Sequence, residues 1–440
     1  MGGKGWKMDR RDFLKNALIL AALAPLTRLA AKAGADGDKS SDLIKGGQVT
    51  RRRYRDSGLT LPLLGFGMMR LPRLNPHGPE IDLAEVEKMF RTALEAGVNY
   101  FDTAYFYHNG LSEECAGKVL TKFPRDSYYL ADKMPVRSIK SEADVERIWN
   151  EQLAKCKVDY FDFYLLHNLN RDRWEDVKRF HVYEFLKARQ NEGKIRKLGF
   201  SFHDEPEVLE TIAAAHDWDF AQIQLNYLDW TLYRSREQYE ILTSRNIPVI
   251  VMEPLRGGAL AKLNDEANAI FKAANPEASV ASWAFRYAAS LPNVICVLSG
   301  MTKMEHLQEN IRTFTDFKPL DDKEYAVIET ALAASRKTSA IPCTACRYCT
   351  PCPVGVDIPR IFGLYNHSKI TGNFMQFRMI YDKMPEDERA SACIGCGTCL
   401  KKCPQKINIP AELKKIDDEL KKRPQRRRAL SGMPTEDYPA

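Results

Sequence analysis

Between residues 54 and 318 the chain alternates two hydrophobic patterns. Short strand-like runs lie at 61–66, 99–102, 128–132, 160–166, 196–200, 220–224, 249–251 and 294–298. Between them the apolar positions take the three- to four-residue spacing of amphipathic helices, as at 83–96, 143–155, 174–190 and 280–289. Eight strands alternating with helices predict an α/β fold with a parallel sheet, closed as a (β/α)8 TIM barrel over residues 51–338. An open doubly wound sheet is the competing fold. It is expected to carry a glycine fingerprint after an early strand, and Gly65-Phe66-Gly67 lacks the third glycine.

The two ends follow other patterns. Asp9-Arg10-Arg11-Asp12-Phe13-Leu14-Lys15 opens an apolar run over 17–26, too short to span a bilayer, and Ala31-Lys32-Ala33 offers a small-residue cleavage site. Residues 1–33 read as a signal peptide, and Arg-Arg-x-Phe-Leu-Lys resembles the twin-arginine kind. The alternative is a chance arginine pair before an amphipathic helix. The resemblance implies export of a folded protein by the twin-arginine machinery to the periplasm or another extracytoplasmic space, with no membrane span in the mature chain. Residues 34–50, rich in Gly, Asp and Ser, read as a linker. Beyond the barrel, 361–381 reads as a helical insert, 411–422 as a last amphipathic helix, and the basic end as a disordered tail.

Composition narrows the class. With 44% apolar and 28% charged residues the chain is a globular one. Its net charge of +7 is concentrated at the ends: residues 1–33 hold seven Lys/Arg against two Asp. The body is near neutral and carries no nucleic-acid signature.

The candidate chemistry starts at 98–110, VNYFDTAYFYHNG. A strand-like run ends at Asp102, and Tyr107 follows before an Asn109-Gly110 turn. Lys133 and His167 end the next two strand-like runs. Alone, Asp102 and Tyr107 also fit a helix cap and a surface tyrosine. Together with Lys133 and His167, the sequence resembles the aldo-keto reductases, (β/α)8 barrels with an Asp-Tyr-Lys-His tetrad. The resemblance extends over Phe101-Asp102-Thr103-Ala104, Ser112-Glu113-Glu114, Leu165-Leu166-His167, Gly199-Phe200-Ser201 and Gly300 to Glu309-Asn310. It implies interconversion of a carbonyl and an alcohol. Tyr107 would supply the proton, and a free phenol with a pKa of roughly 10 is a poor donor near neutrality. Lys133 is expected to lower that value, Asp102 to hold Lys133, and His167 to orient the substrate oxygen.

The same resemblance implies a nicotinamide cofactor, NADP(H), with its amide held by Ser201 and Gln222 and its adenine end by Glu309 and Asn310. Four positions depart from the family. Phe202 replaces an Asn of the amide clamp, Met252 replaces the stacking aromatic, and Gly300 and His306 replace cations that meet the 2′-phosphate. Lys303 is the candidate substitute cation.

Eight of the eleven cysteines lie between Cys343 and Cys403 in an internal repeat. One copy carries Cys343, Cys346, Cys349 and Cys352-Pro353; the other carries Cys393, Cys396, Cys399 and Cys403-Pro404. The second matches the C-x2-C-x2-C-x3-C-P run of bacterial ferredoxins, which predicts two [4Fe–4S] clusters in a ferredoxin-type domain over 339–412. Zinc and disulfides are the alternatives for such spacings. In the two-cluster ferredoxins that the tail resembles, the fourth Cys serves the other cluster. That implies Cys343, Cys346, Cys349 and Cys403 on one cluster, and Cys393, Cys396, Cys399 and Cys352 on the other. The remaining Cys115, Cys156 and Cys296 read as buried thiols, and His108, His181, His203 and His216 as surface or packing residues. The expected activity is that of an exported oxidoreductase with a small carbonyl or alcohol substrate and a redox partner protein. The competing reading is an electron-transfer module on a catalytically idle barrel.

Overall fold

The computed structural model describes residues 43–423 except 45–46, 56–57, 76–78, 337–340, 342, 344–348, 372 and 404–406. The expected signal peptide, the linker up to residue 42 and the basic end beyond residue 423 lie outside the described residues.

Eight parallel strands form a closed barrel: β1 (Leu64–Gly67), β2 (Tyr100–Asp102), β3 (Tyr129–Met134), β4 (Phe161–Leu169), β5 (Ile195–Phe202), β6 (Phe220–Gln224), β7 (Val249–Met252) and β8 (Val294–Gly300). Each pairs with its sequence neighbours, and β8 pairs with β1. The first expected strand divides at Leu63. Thr60–Pro62 joins an antiparallel sheet with Leu43–Ile44 and Arg51–Arg53, and the barrel strand begins at Leu64. The helix expected over 174–190 is two, Arg171–Arg179 and Val182–Asn191, because His181 adopts a left-handed φ of 51° between them.

Large residues from alternate strands fill the barrel interior. Tyr100, Phe163 and Phe220 stack in edge contacts at 5.0 and 5.3 Å. Glycines make room for them: a Cβ at Gly199 would come within 2.7 Å of the Phe220 ring. At the end where the strands begin, Tyr54 and Leu61 close the interior, and buried Arg52 donates to the carbonyls of Ala289, Leu291 and Val294. A second, larger core lies between strands and helices.

The C-terminal segment has a separate core built on the helices Ile358–Thr371, Phe374–Tyr381 and Ile409–Lys422. The insert expected over 361–381 is thus two helices, capped apart by Asn373. Helix Ile358–Thr371 faces the carboxyl ends of β4 to β6 across a cleft of about 540 Å³ lined by Asn170, Phe202, His203, Pro359 and Arg360, among others. Among the described residues no helix is long and apolar enough to cross a membrane.

Candidate active site

The carboxyl ends of β2, β3 and β4 bring the four expected residues together. Asp102 ends β2 and is buried. Lys133 lies in β3 with its side chain 0% exposed; its Nζ donates to Asp102 Oδ2 at 2.6 Å and to the Thr103 oxygen at 2.7 Å. The same ammonium lies 4.6 Å from the centre of the Tyr107 ring. His167 stands near the end of β4, its ring 6.1 Å from that of Tyr107 and nearly perpendicular to it.

Local strain sets two of these positions. After Tyr107 the chain passes through left-handed conformations at His108, Asn109 and Gly110, with φ of 52°, 56° and 88°. Such backbone costs about 1 kcal/mol for each residue other than glycine and persists where the surroundings hold it. Here His108 Nε2 accepts the Leu71 N–H at 2.9 Å and ties the turn to the β1 loop. So His108 is a packing residue. Beyond Leu166 the β4–β5 register shifts, and Asn168 takes a φ of 57°. The irregularity turns His167 toward the carboxyl end of the barrel, as bulges beside reactive sites do.

Electrostatics differ from expectation at one point. Burial works against the Lys133 ammonium, but Asp102 and then Tyr107 outweigh it, so Lys133 holds its proton more tightly than usual. Burial also lifts Asp102, and Lys133 pulls it back. For Tyr107, burial raises the phenol more than Lys133 lowers it. Lys133 therefore acts in the expected direction without bringing the phenol below its ordinary value. The phenol is fully protonated near neutrality, the state a proton donor needs. Burial and then Lys133 hold His167 well below the usual imidazole range, so it is neutral.

Beside the tetrad a cleft of about 550 Å³ runs between the ends of β1, β7 and β8. Asp102, Tyr107, Gln222, Glu309 and Asn310 line it. Gln222 Nε2 points to Met252 Sδ at 3.7 Å, and its buried Oε1 has no hydrogen-bond partner. Asn310 Nδ2 donates to Ser299 Oγ at 3.0 Å. The structure does not bring every expected residue to this cleft. Ser201 is buried and accepts the Asn168 N–H through Oγ at 2.7 Å. Lys303 is exposed, N-caps the helix Met304–Phe314 and is not among the lining residues. Phe202 belongs to the apolar core.

Two charged residues that the sequence reading passed over do line the cleft. Arg70 lies between Gly257 and Gly300: a Cβ on Gly300 would meet its side chain at 3.1 Å, and one on Gly257 its Nη2 at 3.4 Å. Glu253 follows β7 with a φ of 54°. Burial lifts its carboxyl to about 7 against the pull of Arg70 and the Gly257 N–H. Both lie within three residues of the end of a barrel strand, the one signal that marked them.

A third cavity lies in the C-terminal segment. Cys349, Cys352, Cys393, Cys396 and Cys399 rim it with Val354, Ile358 and Leu413. Cys343 and Cys403 pack on the same small core, and Cys346 lies outside the described residues. Among the described residues no three His, Cys, Asp or Glu side chains converge as a single metal ion requires. Five of the thiols nonetheless line this one small cavity. Cys115, Cys156 and Cys296 are buried and free, as expected.

A parallel barrel with a buried Lys-Asp pair against a half-buried Tyr at its carboxyl face, and a cleft beside it, defines a barrel oxidoreductase. The chain belongs to the aldo/keto reductase family, whose sequence model matches residues 63–333. A model of the 4Fe-4S dicluster domain matches residues 342–407. L-galactose dehydrogenase of Arabidopsis thaliana is 24% identical over 314 residues, covering 65% of this chain and 95% of that protein. The oxidoreductase YqkF of Bacillus subtilis is 26% identical over 294 residues, covering 60% of this chain and 90% of that protein. An aldo-keto reductase from Bacillus halodurans in its holo form shares the fold with a TM-score of 0.54 and 24% identity, covering 64% of this chain and 96% of that one.

Proposed function

We propose that the protein reduces a small carbonyl compound to an alcohol, with Tyr107 as proton donor, and that its C-terminal segment holds two [4Fe–4S] clusters. The observation that carries this reading is the wholly buried Lys133 ammonium between Asp102 and Tyr107, beside a cleft of about 550 Å³. Tyr107 donates its proton to the developing alkoxide. Lys133 stabilises the phenolate left behind, and Asp102 and the Thr103 oxygen fix Lys133 in place. Neutral His167 donates an N–H to the substrate oxygen and sets its position.

The cleft fits a nicotinamide dinucleotide. The partnerless Gln222 Oε1 is an acceptor for the carboxamide, Glu309 and Asn310 stand at the adenine end, and Arg70 is the cation for the phosphates. Such a cofactor supplies the hydride. With Lys303 outside the cleft, Arg70 is the one lysine or arginine that lines it among the described residues, so a 2′-phosphate gains no cation of its own and NADPH is expected to bind no better than NADH.

The thiol-rimmed cavity supports a cluster on Cys352, Cys393, Cys396 and Cys399, and the repeat supports a second on Cys343, Cys346, Cys349 and Cys403. The clusters would exchange single electrons with a partner protein or brace the segment. Arg10-Arg11 and the apolar run after them support a reading of export by the twin-arginine route. A second reading, an electron-transfer protein with an idle barrel, is favoured by the core position of Phe202 and the exposed Lys303. Fluorescence titration of the purified protein with NADH and NADPH separates the two. Binding, together with Tyr107-dependent reduction of an aldehyde, supports the first reading. No binding, and no nicotinamide released on denaturation, supports the second. For export, Arg10→Lys with Arg11→Lys is expected to shift the protein from the periplasmic to the cytoplasmic fraction.

A further inference from the structure

The rim of the tetrad carries two cations that the proposed reaction leaves without a task. Arg137, on the turn Val136–Ser138 after β3, sets its guanidinium 3.7 Å over the centre of the Phe106 ring. That ring lies 6.5 Å from the His167 ring, inclined to it by 30°. Arg173, in the first turn of helix Arg171–Arg179 after β4, donates Nη1 to the Asn168 oxygen at 2.6 Å. This helix packs against the Arg137 turn. Two guanidiniums from successive loops thus flank the histidine that holds the substrate oxygen.

Neither arginine has a carboxylate within ion-pair distance among the described residues. Other loop arginines do: Arg234 meets Glu205, Glu207 and Glu237, and Arg125 meets Asp162. Asp172, exposed on the same helical turn, is the one acidic side chain that acts on Arg173, and it sits outside ion-pair distance. Burial and then the Arg137 charge hold the Arg173 guanidinium below its ordinary value, and both arginines add to the depression of His167. Arg137 is exposed and Arg173 half-buried, so the cost of the like charge falls mainly on Arg173. An anion held by charge-assisted hydrogen bonds between them would offset that cost.

We propose that the substrate carries an anionic group, a carboxylate or a phosphate monoester, which Arg137 and Arg173 hold while the carbonyl oxygen meets His167 and Tyr107. This rests on the carbonyl-reductase reading. Arg137 lies against the Phe106 ring, whose centre is 6.5 Å from that of His167, so an anion at Arg137 is placed several bonds from the carbon whose oxygen meets His167. An aldehyde-bearing sugar acid or sugar phosphate has the required length; a 2-oxo acid, with its carboxylate adjacent to the carbonyl, is too short.

Calorimetric titration of the full chain with matched aldehydes tests this. The carboxylate arm compares para-carboxybenzaldehyde with benzaldehyde, and the phosphate arm compares glyceraldehyde phosphate with glyceraldehyde. The anionic member of at least one pair is expected to bind about tenfold tighter or more. That preference should shrink as salt is raised. It should fall to within about twofold in Arg137→Met/Arg173→Met and survive in part in Arg173→Lys, because a charge remains. The arm with the larger preference identifies the anion. Equal affinity within both pairs, or a preference that persists in the double methionine variant, overturns the proposal. If that variant does not fold, loss of the preference with salt in the unaltered chain supports the proposal and a salt-independent preference overturns it. Binding is read without turnover. An anion preference with no aldehyde reduction would therefore sink the reductase reading and leave the anion site standing.

Discussion

Lys133 places its ammonium 4.6 Å from the centre of the Tyr107 ring while donating to Asp102 at 2.6 Å. The lysine is wholly buried, so its charge acts on the phenol with little screening by water. Burial still leaves the phenol above its ordinary value. The ammonium favours the phenolate that proton transfer leaves, while burial opposes it and keeps the proton on the phenol beforehand. Before the reaction the proton is secure, and afterwards the ammonium is at hand.

Tyr107→Phe should lower aldehyde reduction by roughly 10²- to 10⁴-fold, the usual worth of a general acid. Nicotinamide binding and the iron–sulfur absorbance should persist. Lys133→Met should cost at least as much, and it also leaves Asp102 buried without its cation. Single-turnover kinetics with preloaded NADH provide the check. Turnover by Tyr107→Phe within a few-fold of the unaltered protein would reassign the acid.

Glu253 predicts a pH dependence of cofactor binding. Its carboxyl titrates at about 7, with burial as the main cause. Below that value it is neutral, and above it a negative charge enters the cleft that also contains Arg70. A dinucleotide brings negative phosphates, so its affinity should fall as pH rises through 7. From about pH 6 to about pH 8 the loss is expected to be roughly tenfold. Glu253→Gln should flatten the profile at the high affinity. Arg70→Met should weaken binding at every pH by about tenfold and reduce its salt dependence. A flat profile in the unaltered protein would show that Glu253 does not face the phosphates.

Cys396→Ala tests the clusters. Cys396 rims the cavity with Cys352, Cys393 and Cys399 and is itself exposed. Its replacement should lower iron by about four atoms per chain, one [4Fe–4S] unit. The barrel has its own core, distinct from that of the C-terminal helices, so aldehyde reduction and the barrel's near-ultraviolet dichroism should remain. Collapse of both cores together would instead make the clusters part of one cooperative unit.

The pattern of apolar positions told most about the barrel, because each strand is a short apolar run between amphipathic helices. It misread residues 61–66, where Leu61 serves the closing sheet and Leu64 the barrel, since a one-residue break leaves the hydrophobic run intact. It also merged two helices across His181, whose left-handed backbone has no sequence mark like that of glycine. That Asp102, Tyr107, Lys133 and His167 gather at one end of the barrel was legible because each lies at or soon after the end of a strand-like run. Arg70, Glu253, Arg137 and Arg173 follow strands too, but a charged residue in a loop looks like any solvated one. Their placement depends on neighbouring loops far apart in the chain, such as Gly257 and Gly300 around Arg70. Lys303 is the converse case. It lies at the right point in sequence, yet the helix that it caps holds it outside the cleft.

The barrel's closed end offers a test of stability separate from catalysis. Arg52 is 4% exposed and donates to the carbonyls of Ala289, Leu291 and Val294, joining the antiparallel sheet to the segment that leads into β8. Those oxygens lie where the helix Val280–Ser290 gives way to β8, and Arg52 is a donor that ties them to the closing sheet. Arg52→Met keeps much of the volume and removes every donor. Leaving buried acceptors unsatisfied costs about 1–3 kcal/mol each, partly relieved by water, so a net loss of about 3 kcal/mol is expected. The urea midpoint should fall accordingly, while Tyr107, more than a strand's length away at the other end, keeps its environment. A variant as stable as the unaltered protein would mean that water replaces the guanidinium at no cost.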